Sequence, residues 1–264
     1  EIIISDDFSS DATFSVIQET VKEYKGPHKI ILNRNEKNLG IGAHFSKVAY
    51  DLANGDYIIT IGGDDTSKIN HVEDAVRYME KYKECAMVDF NATFIDQHGN
   101  LLKENILAFD ERKFTIDDFL RNRKISWFAP GRIIKRETIV SFPRLASSCP
   151  TEDSIVVFRS LLRGGFMRVN ETLVNYRRHE SNLSGTSSLS RMSNSNIISQ
   201  QISDLIFLKN SKEIDDSTFE SLLKRLTIEL SIRNLRYSHK RNILDKVYLR
   251  LKVLFLRFLY RVLF

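Results

Sequence analysis

Short apolar runs alternate with amphipathic stretches over the first 65 positions. Ile2–Ile4 is an apolar run that ends at Asp6 and Asp7, and a helical pattern follows from about Ala12 to Tyr24, with Phe14, Ile17, Val21 and Tyr24 on one face. His28–Leu32 reads as the next strand and Asn33–Asn38 as a polar loop. Ile41, Phe45, Val48, Ala49 and Leu52 share one helical face, Asn54-Gly55 ends that helix, and Tyr57–Ile61 makes a third strand. Buried strands alternating with helices of 10 to 15 residues predict βαβ units and a mainly parallel sheet.

The pattern then changes. Ala86–Ile95 and Leu101–Leu107 flank a turn at Asp96–Asn100 and predict a hairpin. Phe114–Arg121 reads as a short helix, and Trp127–Ile134, with Pro130-Gly131, as an irregular segment able to line a site. A helix led by Thr151 carries Ser154, Val157 and Leu161, and Phe166–Val169 and Thr172–Tyr176 read as a closing pair of strands. Ser181–Asn196 is rich in Ser and Asn and reads as a loop or hinge before helices near Ile197–Lys209 and Ser217–Tyr237.

With 264 residues and 42% hydrophobic content the chain can bury one large core with an appendage. Cys85 and Cys149 lie in no metal-ligand or disulfide spacing and read as buried thiols of a reducing compartment. The net charge of +5 is concentrated in the tail: residues 240–264 hold seven basic residues against Asp245 alone, which leaves the rest at −1. A body without a basic face argues against nucleic-acid binding. In the tail, Lys246, Arg250, Arg257 and Arg261 gather on one side of a helical wheel, with Leu249, Val253, Leu256, Tyr260, Val262 and Phe264 in other directions. Arg257 and Arg261 interrupt any spanning stretch, so the tail reads as a helix lying in an anionic membrane interface; its alternative is a helix docked on the body or on another subunit.

Three acidic pairs carry the candidate chemistry. Asp6-Asp7 and Asp64-Asp65 each follow a strand, and Glu152-Asp153 opens a helix. Ligands of open α/β sheets bind outside the carboxyl ends of strands, and adjacent acids there repel unless a cation or ligand donors offset them. Helix capping accounts for Ser10 and Asp11, and a favourable charge in a first helical turn competes as an account of Glu152-Asp153.

The ordered segments IIISDDFSSDAT, NEKNLGIGAHFSKVAYDLANGDYIITIGGDD, TEDSIVVFRSLLRGG and YRRHESNLSG resemble the inverting glycosyltransferases of family 2, over about Glu1 to Gly185. The resemblance implies a GT-A type α/β fold, Rossmann-like with a mainly parallel sheet flanked by helices. It implies transfer of a sugar from a nucleoside diphosphate sugar to an acceptor hydroxyl with inversion, aided by a divalent metal, Mn or Mg. By the same resemblance Asp7 would bind the nucleotide base, Asp64 the ribose or sugar, and Asp65 the metal at the diphosphate. Asp153 would be the general base, with Glu152 ordering donor or acceptor. His179 would be a metal ligand or phosphate contact, and of Arg177 and Arg178 only one can face the site, with Arg178 assigned to substrate. Two departures stand out: Gly62 occupies a place where relatives carry an acid, and the family's usual opening strand and helix are absent before Glu1, so the chain reads as a fragment or processed product.

The expected organisation is a catalytic domain over 1–185 and a helical extension with the basic tail over 186–264. The expected function is synthesis of a bacterial surface polysaccharide on a lipid-linked or glycan acceptor, peripheral on the cytoplasmic face of the membrane. The rival reading is a non-catalytic nucleotide-sugar-binding or membrane-bound scaffold. A metal-dependent phosphohydrolase ranks below both, because Asp6-Asp7 does not supply an Asp-x-Asp arrangement.

Overall fold

The computed structural model describes residues 1–106, 111–179 and 194–238, with Val253 and Phe255. Strands β1 (Ile2–Asp6) and β2 (Ile30–Arg34) pair in parallel, joined by α1 (Thr13–Glu23). Helix α2 (Ile41–Lys47) widens into a π-helical turn over Val48–Leu52 and leads to β3 (Tyr57–Ile59). After the short strand β4 (Thr66–Ser67) come α3 (His71–Lys81), the hairpin of β5 (Met87–Ile95) with β6 (Leu101–Ile106), β7 (Arg112–Phe114) and α4 (Ile116–Leu120). The chain continues through β8 (Ile133–Lys135), α5 (Arg136–Val140), α6 (Asp153–Leu162) and β9 (Phe166–Arg177), then α7 (Asn194–Asn210) and α8 (Asp216–Ser238).

The α/β class and Rossmann-like layering hold, but the larger sheet is mixed rather than mainly parallel. Its seven strands follow the order β3-β8-β5-β9-β4, with β6 on β5 and β7 on β9. Only β5 and β9 run parallel within it, because β8 enters between β3 and β5 against both neighbours. The segment predicted as irregular therefore ends in a strand, and Ile133 and Ile134 alternate between the two faces of the sheet. On one face Val88, Phe90, Ile133 and Leu173 meet Ala75 and Met79 of α3. On the other, Met87, Ile134 and Phe166 meet α4, α6, α7 and α8 through Phe119, Phe158, Leu205, Leu222 and Leu226.

Two further corrections concern elements. The predicted closing pair of strands is one strand, β9. Between the pairs Asp89↔Arg168 and Asn91↔Thr172 its register against β5 shifts, so Asn170-Glu171 is a bulge and not a turn. Helix α3 is absent from the predicted elements because its buried stripe is only His71, Ala75 and Met79, set among charges. Conversely, α1 has the predicted amphipathic pattern yet no buried residue, since the sheet beneath it has two strands. The Ser181–Asn196 loop lies outside the described residues except at its last three positions, and the basic tail does so apart from Val253, which is buried, and Phe255. No helix among the described residues is long and apolar enough to cross a membrane.

Candidate functional site

The predicted residues fall into three groups. The first is Asp7, whose carboxylate accepts from Asn35 Nδ2 (2.7 Å), Leu39 N (2.9 Å) and Gly40 N (2.9 Å), while Asn38 Nδ2 donates to its carbonyl (3.1 Å). Asp7 thus holds the loop that opens α2, with His44 Nδ1 3.6 Å away. The neighbouring Asp6 is buried and accepts from Ser9 N (3.0 Å), with Arg34 Nε at 3.5 Å. The two adjacent acids therefore face different partners, which removes the repulsion the sequence poses.

The second group assembles Asp64, Asp65, Arg177 and His179 across more than 100 residues. Asp65 Oδ1 accepts from Arg177 N (2.8 Å), Arg177 Nε donates to Asp64 O (2.7 Å), and His179 Nε2 lies 3.0 Å from Asp64 Oδ2. Strand β9 delivers the two late residues because β4 pairs with it immediately after the acids. Burial, followed by the like charge of Asp64, pushes the Asp65 carboxyl above the usual carboxylate range. A Cβ at Gly62 would meet Asp64 Oδ1 at 2.8 Å and Asp65 Oδ2 at 3.3 Å. The missing acid thus leaves space into which both carboxylates fold back. Among the described residues no three His, Cys, Asp or Glu side chains are grouped to hold a metal. A two-carboxylate set does suit Mg or Mn bound jointly by protein and phosphate oxygens.

The adjacent arginines part ways here. The Arg177 guanidinium also donates to the carbonyls of Asp96 (3.1 Å) and Gln97 (3.2 Å) at the β5–β6 turn. Arg178 instead lies over the Phe94 ring, 4.2 Å from its centroid, in a cluster with Phe128 and Tyr176. The alternation of an extended strand separates them.

The third group is Glu152 and Asp153 at the start of α6. Both face the fully buried Arg132, whose Nη2 is 2.9 Å from Asp153 Oδ1 and 3.4 Å from Glu152 Oε1. Glu152 is 16% exposed and Asp153 37%. Burial, reinforced by Asp153, pushes the Glu152 carboxyl well above the ordinary glutamate range. Thr151 does not cap the helix as expected: the N-cap position is Glu152, with no side-chain cap hydrogen bond, and Thr151 Oγ1, one residue earlier, only accepts from Asp153 N at 3.4 Å. Ser154 next lines a cavity of about 250 Å³ of mixed character, between the apolar Phe119, Trp127 and Phe158 and the polar Arg123, Arg225 and Glu229.

Sequence reasoning missed Asp89, which is fully buried on β5 and accepts from Phe128 N (2.7 Å), fixing the segment that carries Trp127. Burial pushes its carboxyl up to about 7 against the pull of Arg168. A lone acid inside the apolar run Ala86–Ile95 was the available signal.

Residues 1–139 match the model of Glycosyl transferase family 2. The chain belongs to this family. Among its relatives is the putative teichuronic acid biosynthesis glycosyltransferase TuaG of Bacillus subtilis, 29% identical over 181 residues, which are 67% of this chain and 67% of that protein. An uncharacterized glycosyltransferase of Methanocaldococcus jannaschii, MJ1057, is 39% identical over 88 residues, 33% of this chain, and the match spans only 30% of the archaeal protein's length. In fold, the chain is similar to S. aureus TarS 1-349 in complex with UDP-GlcNAc, with TM-score 0.60 and 12% identity over 93% of this chain and 68% of that one. It is also similar to GalNAc-T7 with UDP, GalNAc and Mn2+, with TM-score 0.51 and 18% identity over 69% of this chain and 38% of that one. These two likenesses are likenesses of fold.

Proposed function

We propose that this chain transfers a sugar from a nucleoside diphosphate donor to an acceptor hydroxyl, with inversion, in the synthesis of a surface polysaccharide. The observation that carries the reading is the convergence of Asp64, Asp65, Arg177 and His179 at strand ends, beside a second carboxylate pair backed by a buried arginine. Family membership supports it, and the nucleotide-bound state of the TarS structure supports a sugar-nucleotide donor.

Asp65 and Asp64 would hold a divalent Mn or Mg, with His179 beside them, and the metal would neutralise charge on the leaving diphosphate. Arg177 N and Nε fix the carboxylate of Asp65 and the backbone of Asp64, so the donor meets a set orientation. Asp7 keeps capacity for about one more donor after its three N–H partners, enough for a nucleobase N–H. Asp153 takes the acceptor proton as the carbon–oxygen bond forms and the bond to the diphosphate breaks, so the anomeric centre inverts. Glu152, enclosed and proton-retaining, orders the sugar. Arg178 braces the aromatic cluster under the Trp127 segment, where a lipid-linked or glycan acceptor would lie.

Under the same proposal the catalytic unit is 1–185, and 186–264 is a helical extension whose basic tail rests on the cytoplasmic membrane face. The test is a thermal-shift screen of nucleotide sugars with and without manganese, followed by product analysis. Manganese-dependent stabilisation by one donor and an inverted product are expected. Donor binding without any turnover on glycan or lipid-linked acceptors would favour the scaffold reading.

A further inference from the structure

A buried arginine is costly unless its N–H groups are matched, and apolar side chains of similar volume commonly serve stability better. Arg132 has a fully buried side chain, yet its Nε and Nη1 have no hydrogen-bond partner. Its place is set from several sides. Gly131 N donates to Thr60 O (2.8 Å), Arg132 N to Ala129 O (3.3 Å) and Thr60 N to Arg132 O (3.4 Å). His71 Nε2 donates to Gly131 O at 2.9 Å, and Ser67 Oγ lies 2.9 Å from its Nδ1. Gly131 itself has φ +79°, and a Cβ there would come within 2.7 Å of Val174 Cγ1. The sequence and its surroundings thus fix this arginine behind the acids of α6, with an imperfect hydrogen-bond set that stability alone does not explain.

We propose that Arg132 is the positioning residue of the carboxylate pair, holding Asp153 toward the cleft with Glu152 behind it. The inference rests on the sugar-transfer reading for its catalytic meaning, but its geometry stands apart from it. The charged and titratable groups around the guanidinium are Glu152 and Asp153 from the start of α6 and Asp89 from β5, with Arg168 of β9 3.9 Å from Asp89. Thr151 Oγ1 (3.4 Å) adds a polar contact to Glu152, and the buried Cys149 thiol lies within its field. Of the pair, Glu152 is the more enclosed acid and accepts the hydrogen bond of Arg132 Nη2 at 3.4 Å, while Asp153 is the more open one, its buried Oδ1 2.9 Å from Nη2 as an ion pair without a hydrogen bond and the rest of its carboxylate toward solvent. The arrangement leaves the Asp153 carboxylate where an acceptor hydroxyl can reach it.

Arg132→Met separates this role from a structural one. The variant is expected to melt at or above the wild-type temperature and to keep donor KM within about twofold, while kcat falls at least tenfold. The acid limb of kcat against pH, which reports the pair as a whole, is expected to move up by about one unit. A folded Arg132→Met with wild-type kcat and pH profile would overturn the proposal. Should that variant not fold, Arg132→Lys decides: one ammonium cannot span both carboxylates, so kcat drops at unchanged donor KM, and wild-type kcat overturns the idea. A readout independent of turnover is the 13C carboxyl titration of Glu152, expected to move to higher pH in Arg132→Met; an unmoved titration also overturns it. Absence of turnover by wild-type protein with every donor would instead defeat the sugar-transfer reading and leave this titration standing as the test.

Discussion

At the scale of single residues, the site depends on acids whose environments differ. Asp153→Asn keeps shape but removes basicity, so turnover is expected to fall by about 10² or more while donor affinity persists, as measured by kinetics and calorimetry. Near-normal turnover would reduce Asp153 to a helix-start charge. Asp65→Ala is expected to abolish manganese-dependent donor binding with little change in melting temperature, because its carboxylate lies at a strand end outside the core clusters and accepts a hydrogen bond from Arg177 N. Asp89 makes a prediction about stability. Burial raises its carboxyl from 3.8 to about 7, so the folded state binds this proton more tightly than the unfolded chain. Its contribution is complete below pH about 4 and is lost as pH rises through about 7. Chemical denaturation across that window is expected to show Asp89→Asn flattening the slope, by on the order of 2–4 kcal/mol over the range. An unchanged slope would mean that Arg168 holds Asp89 ionised throughout.

Among elements, α6 joins the site to the C-terminal helices. Its Arg159 is buried against Asp204 of α7, with Nε to Oδ2 at 2.7 Å and Nη2 to Oδ1 at 2.9 Å, and its other donors reach Ile139 O (3.2 Å) and Pro143 O (2.7 Å). Asp204→Ala strands that cation and is expected to cost about 3–5 kcal/mol in denaturant unfolding. The elements also show what sequence periodicity can carry. The order of elements through β3 was legible because each strand is a compact apolar run and α2 has an apolar face, but only β1-α1-β2 forms the expected parallel unit and β3 joins the other sheet. Helix α3 was not, since it meets the sheet with only every fourth residue, and β9 was divided in two because Asn170-Glu171 looks like a turn while sitting in a bulge. Of the candidate site, Asp64, Asp65, Glu152 and Asp153 stood out from motif and position, and the fold gathers Asp64 with Asp65 and Glu152 with Asp153 in two groups. Arg132 was hidden, because a buried ion partner has no periodic signature, while Asp89 had as its signal a lone acid within an apolar run that was passed over.

For the whole molecule, the near-neutral body and basic tail predict a salt-sensitive attachment to anionic surfaces. Deleting residues 243–264 is expected to abolish co-sedimentation with anionic vesicles at low salt while leaving donor binding in place, given about 1 kcal/mol per basic residue near such a surface. Equal pelleting of both forms would favour a tail docked on protein. A different consequence follows from the hydrogen bond between Asp65 and Arg177. Its partners lie 112 residues apart in the chain. During synthesis at about 5–20 residues per second, Asp65 waits roughly 6–22 s for its backbone donor to be made. Until then the strand edges that β9 will occupy on β5 and β4 are open, a late and long-range closure of the kind that slows folding and invites association. The nascent protein therefore passes through a period with its carboxylates already emerged and unplaced, and competence arrives only with the last strand of the sheet.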